Sequence, residues 1–303
     1  MKELEQIQNK IINNGNCYKI TLPTEQSSVE RNYFRISQLA NNFLQKNRFN
    51  NWYKHLALQD DENKNLSEAE LIKIGEKEGN KKKNNQAKKG TQKHKNIENF
   101  FKNREKNSMN EWKLKLENFF PFVNIFNPLC IEKKVFYENF FNKMLQITPN
   151  GKLLGLAGTF DALGTVDCNA LSFEKNGKSI YKNSLQFLID WKYPSKAKYP
   201  VKKYKNQTIY PLIPYGIQLS CYIAAINQRT NGNLNLNRAI VVIAPENSNT
   251  CYPYLFSKDS ILWYWENAKK MMVSIAFNEN FDYTVFENET VKRNFHGTRL
   301  YFR

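Results

Sequence analysis

The stretch Leu185-Gln-Phe-Leu-Ile-Asp-Trp-Lys192 decides how the chain is read. Its apolar residues run on both faces, the pattern of a central strand covered on both sides. It ends on two charges. Residues two apart on a strand point to the same side, so Asp190 and Lys192 project together. Burying such groups is unfavourable unless they are paired or bind a metal. Asp161 sits in a second short strand, Gly158-Thr-Phe-Asp-Ala-Leu-Gly164, between small and apolar neighbours. Glu132 sits in Leu129-Cys-Ile-Glu-Lys133, beside another apolar run, and Glu138 competes with it as the upstream carboxylate. Carboxylates converging from neighbouring strands offer Mg²⁺ or Mn²⁺ its oxygen ligands and leave room for waters and a phosphate. Lys192 beside them would orient a hydrolytic water or steady charge on that phosphate.

Downstream of that strand, Pro214 starts a helix running to about Asn227, with the proline suited to a first turn. Ala239 to Ala244 is an apolar strand, and Thr250 to Phe256 pairs with it through the Glu246-Asn-Ser-Asn turn. Asp259 to Phe277 is a long amphipathic helix. Between the two upstream strands, Glu174-Lys-Asn-Gly-Lys178 reads as a hairpin-like turn. Upstream, Gly90-Thr91 opens a helix that Thr91 caps. There His94, Ile97, Glu98 and Phe101 share one face. Residues 59–89, an acidic patch followed by a basic one, read as a solvated loop or frayed helix. Residues 31–58 carry Phe34, Ile36, Leu39 and Phe43 at helical spacing, and residues 1–30 form a polar arm. The order helix, strands, helix, strand, strand, helix predicts a mixed α/β fold. Three segments result: an N-terminal helical or arm region (1–89), a core (90–280) and a tail (281–303).

The chain has 303 residues and a formal charge of +17, and 14% of it is aromatic. It is too apolar and aromatic to be mainly disordered. The charge excess points to a polyanionic partner. The stretch Lys192 to Lys205 holds six lysines, three tyrosines and no acid. It is either a solvated loop or a strand-guiding surface built from Lys196, Lys198, Tyr199, Lys202, Lys203, Tyr204 and Lys205. Lysines there would neutralise phosphates and tyrosines would stack on bases. The five cysteines are scattered without ligand spacing, so they read as small buried hydrophobes, with no iron–sulfur cluster. No apolar run is long enough for a membrane span. The start, MKELEQIQNK, lacks the marks of a signal or transit peptide. The expectation is therefore an intracellular protein, of the cytoplasm or of an organelle matrix, plastid or mitochondrion.

In order along the chain stand Gly90-Thr-Gln-Lys-His94 with Glu98, Glu132, Gly158-Thr-Phe-Asp161, Ile189-Asp190-Trp191-Lys192 and Gln218-Leu-Ser-Cys-Tyr222. This set resembles the PD-(D/E)XK nuclease superfamily in its RecB-like exonuclease branch. Within that branch it is most similar to the mitochondrial genome maintenance exonuclease family, over roughly residues 28–275. The resemblance implies a restriction-endonuclease-like core, a central mixed β-sheet flanked by helices. It implies that Asp161 and Asp190 bind Mg²⁺ or Mn²⁺, with His94 and the Trp191 backbone carbonyl completing the shell and Glu132 as a further candidate. It makes Lys192 the catalytic lysine, with Gln218 and Tyr222 beside the site. The implied reaction is hydrolysis of DNA phosphodiesters by a metal-activated water, on single strands or flaps, by a monomer, in replication, repair or turnover. The segment after Lys192 departs from that family, continuing with Tyr193-Pro194 and a longer loop.

No P-loop, helix-turn-helix or zinc-finger pattern is present, which favours recognition of ends or single strands over base sequence. Two rivals stand beside the exonuclease. One is a structure- or site-specific endonuclease of the same fold. The other is a nucleic-acid-binding protein with an inactive site.

Overall fold

The computed structural model describes residues 4–5, 8, 11–13, 18–23, 28–42, 53–103, 116–138, 155–194, 212–246, 248–277, 281–286 and 297–303. A mixed sheet forms its centre. Three N-terminal strands, β1 (Ile11–Asn13), β2 (Tyr18–Pro23) and β3 (Ser28–Arg35), form an antiparallel meander. The last of them pairs in parallel with the start of β5 (Leu156–Val166), through Phe34↔Leu156. Along one whole edge of β5 runs β4 (Phe126–Tyr137), antiparallel. On its other edge, β5 pairs antiparallel with β7 (Leu185–Lys192). Then follow β8 (Ala239–Ile243), parallel to β7, and β9 (Tyr252–Phe256), antiparallel to β8. A two-residue strand β6 (Leu171–Ser172) lies off this sheet and pairs with β11 (Tyr301–Phe302), while β10 (Thr298–Arg299) extends the sheet at β9.

Helices cover both faces. On one lie α1 (Ile36–Asn42), α4 (Leu212–Arg229) and α5 (Lys258–Phe277), enclosing Leu163, Leu188, Ile217 and Tyr264. On the other, the end of α2 (Glu68–Lys102) and the short α3 (Phe120–Val123) enclose Ile97, Phe122, Ile189 and Trp191. The strand that anchors the sheet is buried at Phe187 through Trp191, as its two-sided apolar pattern requires. Trp191 points away from its charged neighbours into an aromatic nest, with Phe119, Phe122 and Phe126 ring centres 5.7–5.9 Å away.

The expected strands at 158–164, 185–192, 239–244 and 250–256 all form, as do the two downstream helices. The upstream reading needs correction. The described residues of the expected arm include the strands Ile11–Asn13 and Tyr18–Pro23 and the start of Ser28–Arg35, and Phe34 belongs to β3, with the helix starting at Ile36. Phe43 lies outside the described residues. The helix at His94 does not start at Gly90. It is one 35-residue helix from Glu68, opened by a capping box in which Ser67 and Glu70 exchange hydrogen bonds, a strong N-terminal signal. Thr91 lies in mid-helix, its hydroxyl donating back to the Ala87 carbonyl. A division at residue 90 therefore falls inside one helix, and the 281–303 segment contributes β10 to the sheet.

Gly216 shows how tightly α4 and α5 pack. A Cβ there would stand 2.3 Å from the ring of Tyr264, which is fully buried. Alanine is favoured over glycine in a helix by about 1 kcal/mol, but overpacking costs about 1–3 kcal/mol. Gly216→Ala is expected to lower stability in urea denaturation, and a stabilised variant would contradict this packing.

Candidate metal centre

The site forms where the sheet stops being regular. The β5–β7 ladder ends at Ala162↔Ile189. One residue further on stand Asp161 and Asp190, opposite each other but unpaired by backbone. Instead the Trp191 amide donates to Asp161 Oδ2 at 2.7 Å. On the other edge of β5, the pairing passes from Ile131↔Ala162 to Lys133↔Phe160, which leaves Glu132 opposite Asp161. Three carboxylates thus form one row across three adjacent strands.

That row coincides with a break in side-chain alternation. Phe160 and Ala162 are two residues apart and should share a face, yet they pack into opposite cores. The same reversal separates Ile131 from Val135 on β4. Glu132 absorbs it with φ +50°, a left-handed backbone that costs a non-glycine residue about 1–3 kcal/mol.

Helix α2 brings His94 to this row. Its Nε2 lies 3.0 Å from the Trp191 carbonyl, and its Nδ1 lies 3.4 Å from Glu132 and 3.7 Å from Asp161. When Nε2–H donates to the carbonyl, Nδ1 presents a lone pair to the carboxylates, the tautomer a metal ligand needs. Ligand atoms of His94, Glu132 and Asp161 all lie within 4.8 Å of one another. Asp190 is turned the other way. Both its oxygens lie 2.8–2.9 Å from Lys192 Nζ, although Oδ2 makes no aligned hydrogen bond. Lys192 also stands 5.0 Å above the ring of Tyr215.

The electrostatics follow from burial. Burial pushes the Asp190 carboxyl up to about 6 against the pull of Lys192. Burial likewise raises Asp161, opposed by His94 and Lys192. Burial works against the ammonium of Lys192, but Asp190 and Asp161 outweigh it and its pKa rises. For His94, burial lowers the pKa, yet the charge of Asp161 and the bond with Glu132 carry it up to about 9. His94, Glu132 and Asp161 offer two carboxylates and one imidazole, a donor set that could hold a metal ion.

Gln218 and Tyr222 occupy one face of α4, with Gln218 Nε2 donating to the Tyr222 hydroxyl at 3.4 Å. The Tyr222 ring lies over β5 at Gly158, where a Cβ would come within 2.8 Å of it; only glycine leaves it that room. Glu138 is at the far end of β4, bonded to Tyr33 and Arg229, so Glu132 is the carboxylate near His94. Glu98 pairs with Lys102 and stays out of the cluster. Lys196, Lys198, Tyr199, Lys202, Lys203, Tyr204 and Lys205 all lie outside the described residues. Tyr215 is unmarked by any motif, but its i, i+3, i+7 spacing with Gln218 and Tyr222 is the signal that finds it. The four described cysteines are separate, buried and unbridged, and no helix among the described residues is long and apolar enough to cross a membrane.

Fold and site together define an α/β protein with a central mixed sheet, flanked by helices, that carries a His–Glu–Asp group able to hold a metal ion. No family model matches the chain, and no curated protein matches it. Among solved structures, it is similar to that titled "Crystal structure of SSO0001", at 14% identity and TM-score 0.32, covering 92% of this chain and 86% of that one. A likeness of that degree carries no argument about either protein.

In the metal-free protein, the folded pKa of His94 lies above its unfolded value near 6.5. Its stabilising contribution is therefore complete below pH 6.5 and is lost as pH rises through about 9, on the order of 3 kcal/mol in all. Denaturation in EDTA should show stability falling over that window, and His94→Gln should flatten the slope. An unchanged slope in the variant would remove His94 from the cluster.

Proposed function

We propose that the chain is a Mg²⁺- or Mn²⁺-dependent deoxyribonuclease of the PD-(D/E)XK type, in its RecB-like branch. Its activity is that of an exonuclease on single-stranded DNA or flaps, in replication, repair or turnover. One observation carries the reading: His94, Glu132, Asp161 and the Asp190–Lys192 pair meet at the end of a broken strand ladder. These are oxygen and nitrogen donors for a metal, with a cation beside them for a phosphate. The +17 charge and the ordered motifs support a polyanionic substrate.

Each residue has a task in that reaction. Glu132, Asp161 and His94 would hold the cation, with the Asp190 carboxylate beside them as a further ligand. The bound cation would supply Lewis acidity to the phosphate and make a water acidic enough to attack at neutral pH. Lys192 is held over Tyr215 and steadied by Asp190. It orients the water and neutralises charge that develops on the phosphate oxygens. The Trp191 amide fixes the Asp161 carboxylate, so the site is assembled before substrate arrives. Water adds to phosphorus, one P–O ester bond breaks, and the leaving oxygen takes up a proton.

The test is cleavage of end-labelled linear and of circular single-stranded DNA, with Mg²⁺, Mn²⁺ or EDTA. The expected outcome is metal-dependent loss of the linear substrate alone. Lys192→Ala should reduce the rate at least about 100-fold with an unchanged circular dichroism spectrum. Cutting of the circle would make the enzyme an endonuclease. Binding without cleavage in either metal would leave a nucleic-acid-binding protein.

A further inference from the structure

We propose that the outer flank of α2 is a docking tract for the phosphate backbone of a single nucleic-acid strand, leading to the metal centre. The proposal rests on the nuclease reading for the purpose of the tract, but not for its existence.

The helix is held at its ends. Leu71 is buried near the start, and Ile97 and Phe100 are buried near the end. From residue 80 to residue 96, no described side chain is buried. At about 100° per residue, the positions divide into two flanks. Lys82, Gln86, Lys89 and Lys93 share the angular sector of Leu71, Ile97 and Phe100, and each is engaged with the body. Lys82 bonds Gln59, Gln86 bonds the Tyr193 carbonyl, Lys89 pairs with Glu246, and Lys93 stands over the Tyr193 ring.

The other flank has a different use. Lys73, Lys77, Lys81, Lys88 and Lys95 are spaced 4, 4, 7 and 7 apart, so they form one stripe along the helix. All five are exposed. None forms an ion pair with an acid among the described residues, and no acid lies in their sector between Lys73 and Lys95. The stripe runs about 33 Å at 1.5 Å per residue. It ends beside His94, whose side chain sits between this stripe and the buried face. Like charges one turn apart, such as Lys73 with Lys77 and Lys77 with Lys81, disfavour a helix. A polyanion laid along them relieves that repulsion and releases its counterions. A single row of cations fits one backbone and touches no base edge, so it positions a strand without reading its sequence.

Binding of a fluorescein-labelled 20-nucleotide oligo-dT, measured by anisotropy in EDTA, tests the tract without cleavage. A variant carrying Lys77→Gln, Lys81→Gln, Lys88→Gln and Lys95→Gln is compared with one carrying Lys175→Gln, Lys178→Gln, Lys182→Gln and Lys258→Gln. The two lose the same charge, from different surfaces. The stripe variant should bind at least tenfold more weakly at 100 mM salt, with a log–log salt slope shallower by about 3. The control should keep the wild-type slope to within about 1. Equal losses in both variants, or none in the stripe variant, overturn the proposal, and a melted helix in circular dichroism is checked separately with single Lys→Gln changes. Cleavage by wild-type protein without any effect of the stripe variant sinks the tract and leaves the nuclease. Stripe-dependent binding without cleavage does the reverse.

Discussion

The structure turns on the burial of two carboxylates side by side. Asp161 and Asp190 stand opposite each other on β5 and β7, and both are nearly inaccessible to water. Like charges so placed repel, and removing them from water costs several kcal/mol each. Every feature around them answers that cost. Lys192 takes both oxygens of Asp190, the Trp191 amide takes one of Asp161, and α2 delivers His94 from the opposite layer. Each answer is partial. Asp190 Oδ2 still lacks an aligned donor, and a third carboxylate, Glu132, adds to the negative charge. The His94, Glu132 and Asp161 ligand atoms at this row could hold a metal ion.

The sheet is distorted where that cluster forms. A regular antiparallel ladder would give the amide of Trp191 to a backbone carbonyl of β5. Here the ladder ends one pair early, so a side chain can take its place. The alternation of β4 and β5 reverses at the same row, through the left-handed backbone of Glu132. Strain of this kind persists only where the surroundings hold it. The aromatic nest around Trp191 on one side and Tyr222 against Gly158 on the other provide that hold.

Much of this was legible in the chain. The two-sided apolar run before Asp190 and Lys192 marks a central strand with charges at its end, and alternation alone puts those two side chains together. The i, i+4 spacing of Gln218 and Tyr222 marks one helix face, whose tyrosine packs over β5 at Gly158. What was misread lies upstream. Gly90 and Thr91 look like a helix start because glycine and threonine favour helix ends. The interior of α2 tolerates both, because the helix was already nucleated at the Ser67–Glu70 capping box, 23 residues earlier by the numbering. The strands β1 to β3 are mixed in polarity, and only the pairing of β3 with β5 makes this meander part of the sheet.

The sequence by itself determined the order of strands and helices from β5 through α5, the placement of Asp190 and Lys192 on one side of a strand, and the excess of positive charge. These depend on local periodicity and on composition, which a linear chain displays. Only the tertiary structure decided that Glu132 rather than Glu138 meets His94, since Glu132 lies within β4 opposite Asp161, while Glu138, just past the end of that strand, is held by Tyr33 and Arg229. It also decided that the lysines of α2 divide between a flank bound to the body and a flank open to solvent. That division depends on which side of the helix the core occupies, and contacts between residues far apart in sequence set it.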